Sequence, residues 1–94
     1  MSQTTKTDKR IYENAEGRRL FMFVFNVDFM TPLVANNAFD AYMGINTETV
    51  DQLNTLAETM KKLGMDNHTI ENSLHDALRF LGFEECWSPE NAIA

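Results

Sequence analysis

A chain of 94 residues with 44% hydrophobic content is expected to hold one compact domain, because so short a polymer cannot bury enough surface for two cores. Its formal charge of −6 is unevenly spread, about +2 over residues 1–19 and −8 over the rest, which argues against the body of the chain gripping a polyphosphate backbone. The single cysteine, Cys86, excludes an intramolecular disulfide. The polar stretch Met1–Asp8 carries no signal-peptide core, and no apolar run approaches the ~20 residues of a membrane helix, so a soluble cytoplasmic protein is expected.

Residues 1–8 have nothing apolar to bury and are expected to form a disordered tail. Lys9–Asn14 reads as a short strand with Ile11 on one face and Tyr12 on the other. Ala15, Glu16 and Gly17 read as a turn, from which Arg18 onward folds back antiparallel. The second strand is expected to run on to Phe29. In it Phe21, Phe23, Phe25, Val27 and Phe29 form an aromatic stripe, while Leu20, Met22, Val24, Asn26 and Asp28 share the opposite face. The Phe stripe is expected to carry the helices. The first arm is shorter than the second, which leaves Val24, Phe25, Asn26, Val27, Asp28 and Phe29 without an intrachain neighbour. Such an edge is a hazard that native chains cover, and pairing with a second copy in a dimeric sheet is the simplest cover. If the first arm instead reaches back through Thr4–Asp8, no association is needed.

Thr31–Pro32 reads as a helix start, giving a first helix over residues 32–43 that stops at Gly44. Leu33, Ala35, Ala38, Phe39, Tyr42 and Met43 are expected inside it, with Asn36, Asn37 and Asp40 outside. A second helix is capped at Asn46 or Thr47 and ends at Leu63, with Val50, Leu53, Leu56, Ala57, Met60 and Leu63 inward. A third is capped at Asp66 or Asn67 and runs through Leu81, with Ile70, Leu74, Ala77, Leu78 and Leu81 inward and Glu71, Asn72, His75, Asp76 and Arg79 outward. After Gly82 an irregular tail is expected, its Phe83 and Trp87 packing back. The pattern predicts an α+β fold: an N-terminal β-hairpin followed by three amphipathic helices on one sheet face, in a single domain over residues 9–87 with a C-terminal tail at 88–94.

No catalytic group and no cofactor are expected. His68, Glu71 and His75 share one side of a helix at zinc-like spacing, but a fourth ligand is absent and no metal is predicted. Cys86 with His75 lacks an orienting third group, and Glu84 beside Glu85 lacks environments that would separate their pKa values. The glycines stand singly at turns rather than in a phosphate-cradling loop. Tyr12, Arg18, Arg19 and Asn26 could form a small basic patch for a nucleotide or small ligand, although direct nucleic-acid binding is not expected.

The acidic helix positions Glu48, Asp51, Glu58, Glu71 and Asp76 are the expected contacts for a protein partner with a basic surface, attracted by long-range steering. Small size, acidity, absence of catalytic motifs and a strand-plus-helices layout resemble the general profile of phage-encoded anti-defence inhibitors such as anti-CRISPR proteins. The resemblance rests on profile alone. It implies an inhibitor or regulator that occupies a larger, nucleic-acid-handling protein, with homodimerisation expected from the long strand.

Overall fold

The hairpin forms where Asn14 and Gly17 dictate a reversal. The Asn14 side chain accepts from the amides of Glu16 and Arg18 at 3.0 and 2.9 Å, and Gly17 donates to the Asn14 carbonyl. On either side run strands β1 (Thr7–Glu13) and β2 (Arg19–Phe25), paired antiparallel from Glu13 opposite Arg19 to Thr7 opposite Phe25. The structure is a computed structural model that describes residues 7–25, 27 and 29–86. The first arm thus extends back through Asp8 and Thr7, and β2 stops at Phe25 instead of continuing to Phe29. Val27 and Met30 close a turn, and the Asn67 side chain donates to both of their carbonyls, at 3.0 and 2.9 Å.

The segment read as the first helix forms a strand instead. β3 (Leu33–Asn36) pairs with β2 from Leu20 opposite Asn36 to Phe23 opposite Leu33, so β2 is an inner strand over those residues, and Val24 and Phe25, expected to lack an intrachain neighbour, pair on one side with Asp8 and Thr7 of β1. Pro32 immediately precedes an edge strand, where its missing N–H costs little, and Asn37 takes over the capping role by accepting from the Asp40 amide at 2.9 Å. The helix that remains, α1 (Ala38–Tyr42), has 5 residues and lies inside out relative to the periodic reading. Asp40 is buried at 8% exposure, whereas Phe39, Tyr42 and Met43 are 68%, 87% and 55% exposed.

Two longer helices cover the sheet. In α2 (Thr47–Lys62) Leu53, Ala57 and Met60 are buried, and in α3 (Asn67–Phe80) Ile70, Leu74 and Leu78 are. Both end in the same way: Gly64 and Gly82 adopt φ of 91° and 98°, and the following residue donates back to the helix, Met65 to Met60 and Phe83 to Leu78. Leu63 and Leu81, assigned inward by spacing, are therefore exposed at these caps, and Met65 and Phe83 turn in instead. Leu56, also assigned inward, is exposed as well. The stretch after Gly82 is a strand, β4 (Glu84–Cys86), paired with β1 and completing the sheet order β3-β2-β1-β4. Trp87 and the tails at 1–6 and 88–94 lie outside the described residues, as do Asn26 and Asp28.

The core shows which sheet face the helices chose. Tyr12, Leu20, Met22 and Val34 are fully buried against Leu53, Ala57, Ile70, Leu74 and Leu78. The Phe stripe lies on the other face, and Phe21, Phe23 and Phe25 are only partly buried. Cross-strand partners explain the inversion. Lys9, Glu13, Arg19 and Glu84 share the Phe side, and four charges cannot be covered by helices without partners. On the Leu20–Met22 side, Arg10 and Tyr12 of β1 have polar groups that find partners at the rim.

Candidate functional site

Alternation along β1 places Arg10 and Tyr12 under α3, and this creates the densest polar cluster among the described residues. The Arg10 guanidinium donates to Glu85 through Nε at 3.0 Å and Nη2 at 2.8 Å, and its Nη1 pairs with Glu71. Arg10 Nη2 also stands 3.4 Å from His75 Nδ1, and the Tyr12 hydroxyl is 2.7 Å from that nitrogen. The Arg10 guanidinium and the Tyr12 hydroxyl thus converge on one ring nitrogen of His75. The two rings meet edge to face at 5.6 Å.

The electrostatics follow from these contacts. Hydrogen bonds from Arg10 hold the Glu85 carboxyl below the usual glutamate range against the opposing effect of burial, and Glu85 in turn keeps Arg10 firmly charged. Burial pushes the Tyr12 phenol well above its ordinary value. One guanidinium therefore ties β1 to β4 through Glu85 and to α3 through Glu71. Its donors are committed to the protein's own carboxylates, and the cluster's chemistry is that of a fastener between elements.

The other predicted constellations come apart. Tyr12 is buried under the helices while Arg18 and Arg19 sit at the exposed hairpin turn, ion-paired to Glu16 and Glu13 at 3.6 Å, so the basic ligand patch does not assemble. Its fourth member, Asn26, is outside the described residues. His75 faces Tyr12, and His68 lies near Asn72 on the exposed side of α3. Among the described residues no group of three His, Cys, Asp or Glu side chains could hold a metal ion. Cys86 pairs opposite Ile11, on the sheet face away from His75, and its thiol is pushed up by burial and by Glu13, whose carboxylate it approaches at 3.5 Å. Glu84 and Glu85 point to opposite faces of β4.

Of the predicted partner contacts, Glu71 is spent on Arg10. Glu48, Asp51, Glu58 and Asp76 are exposed, and no cation among the described residues lies within ion-pair distance of them. What spacing could not find is an exposed apolar surface at the end of the fold where α2 begins with Glu48. β3 ends, α2 begins and α3 ends at the hairpin-turn end of the sheet, so Phe39 and Tyr42 of α1, its C-cap Met43, and Phe80 of α3, 90% exposed, all stand at that end. Both polar groups of Val34, on the edge strand β3, are already engaged: Asn54 accepts from its amide at 2.7 Å and donates to its carbonyl at 2.9 Å. The β4 edge is three residues long and carries two glutamates, another device that discourages strand addition.

Among the described residues no helix is long and apolar enough to cross a membrane. The fold is α+β, with a four-stranded antiparallel sheet and three helices among the described residues. Comparison of the chain with protein-family models, with curated proteins and with solved structures returned no match.

Proposed function

We propose that this chain is a small acidic protein-interaction module that acts as an inhibitor or regulator by covering part of a larger protein. The observation that carries this reading is the exposed end of the fold. Phe39, Tyr42 and Met43 are spaced by three and four residues, so they share one side of α1, and all three are more than half exposed. Aromatic and methionine side chains in this setting are the residue types that anchor interfaces, and an exposed apolar cluster on a small domain marks an association surface. Glu48, in the first turn of α2, adds negative charge at the same end. A partner with an apolar patch next to lysine or arginine complements that combination.

The test compares proteins captured by the immobilised chain with those captured by the triple variant Phe39→Ser, Tyr42→Ser, Met43→Ser. These side chains make little core contact, so the variant is expected to melt within a few degrees of the parent. A defined protein retained by the parent and lost from the variant supports the proposal, and its retention is expected to weaken as salt rises. Identical capture by both proteins refutes it.

A further inference from the structure

A groove of about 370 Å³ opens where β3 begins. Its origin is a mismatch of strand lengths. β2 runs to Phe25, but β3 starts at Leu33 opposite Phe23, so the last two residues of β2 have β1 on one side and no β3 residue on the other. The incoming chain at Met30 and Pro32 lines the vacated space together with Phe25 and Leu33, and α2 forms the facing wall. On that wall Asn54 is committed to the Val34 backbone in both directions, whereas Glu58, one turn further along, has no cation within 4.0 Å among the described residues. Asp51, seven residues before Glu58, lies on the same stripe of α2.

Among the described residues, the groove thus combines an apolar floor with a carboxylate at its rim that has no ion-pair partner, and no positive charge in its lining. Its volume stands at the low end of ligand sites, enough for one large side chain. A cation brought to Glu58 above an apolar floor meets a lower effective dielectric than in open water, which strengthens the pair. We propose that this groove is an anchor site for an extended segment of a protein partner, which inserts one leucine-, methionine- or phenylalanine-type side chain and places an adjacent lysine or arginine on Glu58. The inference rests on the reading of the chain as a protein-interaction module and assigns that module a second contact, at the opposite end of the sheet from the α1 cluster.

The experiment uses short fluorescent peptides with a glycine–serine background carrying one leucine flanked by lysines. Matched peptides have the leucine replaced by serine or the lysines by glutamate. Fluorescence anisotropy is recorded with the parent protein, with Glu58→Lys, and with Glu84→Lys, which changes net charge equally but on β4, at the other edge of the sheet. Binding of the leucine–lysine peptide is expected to weaken about fivefold or more in Glu58→Lys, the scale of one exposed ion pair plus the repulsion replacing it, and much less in Glu84→Lys. Equal losses in the two variants, equal binding of the serine peptide, or no binding of any peptide overturns the groove assignment. A partner captured through Phe39, Tyr42 and Met43 with unchanged affinity by Glu58→Lys also overturns it and leaves the interaction function standing.

Discussion

Replacing Asn54 by alanine isolates the contribution of one side chain to closing a sheet edge. Its amide makes two hydrogen bonds to Val34, at 2.7 and 2.9 Å, and the Val34 side chain is fully buried beneath it. Neutral hydrogen bonds contribute about 0.5–1.5 kcal/mol each net of solvent competition, so removing both is expected to cost about 2 kcal/mol. For a domain of this size that corresponds to a fall in melting temperature of roughly 8–16 °C. Asn54→Asp sharpens the test. The carboxylate still accepts from the Val34 amide but now faces the Val34 carbonyl, so its folded pKa rises. Its deficit relative to the parent should narrow as pH falls through that raised folded pKa, where the protonated form can donate again, and be smallest below about 4. Thermal and urea unfolding of the three proteins at neutral and acid pH provide the measurement. Light scattering at high concentration adds a second readout, because a bared β3 edge invites strand addition. If both variants melt within about 2 °C of the parent at neutral pH, the reasoning that Asn54 closes this edge is refuted.

The sheet-face assignment predicts that Met22→Lys abolishes cooperative folding, while Phe23→Lys, one residue away, folds with its ammonium reaching solvent; near-UV circular dichroism distinguishes the two, and the reverse ranking would restore the Phe stripe as the core. Glu85, whose folded pKa lies below the ordinary 4.5, contributes stability that is present above that value and lost as pH falls through the folded pKa. Glu85→Gln should therefore flatten the loss of stability on acidification, measured as urea midpoints at several pH values. Tyr12 has the opposite sign: its folded pKa is raised above 10.0, so its contribution is intact below that value and declines as pH rises. Tyr12→Phe should cost about 0.5–1.5 kcal/mol at neutral pH through the lost bond to His75 and remove part of the alkaline decline.

Local chemistry is enough to place α2 and α3 within a residue of their ends, because glycine after each helix, the acidic N-cap at Asp66 and spacing by three and four act within one turn of backbone. The hairpin turn is equally local, resting on Asn14 and Gly17. The cap geometry was already less legible: periodicity counted Leu63 and Leu81 inward, whereas the chain reverses at the next glycine and sends Met65 and Phe83 in. The candidate surfaces were legible only as composition. The acidic positions could be named from the sequence, but not that Glu71 would be neutralised by Arg10, 61 residues away.

Amino-acid order by itself determined a sheet-plus-helix protein with two long amphipathic helices and a strand apolar on both faces. The tertiary structure decided which face is core, because the charges that disqualify the Phe side come partly from β1 and β4, strands that meet β2 only through folding. It also decided that Leu33–Asn36 would pair with β2 although threonine and proline announce a helix just before. Helical preference at such a site is a few tenths of a kcal/mol per residue, and a hydrogen-bonded strand with Val34 buried outweighs it. That choice shortened the first helix to α1 and turned Phe39, Tyr42 and Met43 outward. The surface on which the proposed function rests is thus a product of strand pairing, a contact that no local window of the sequence contains.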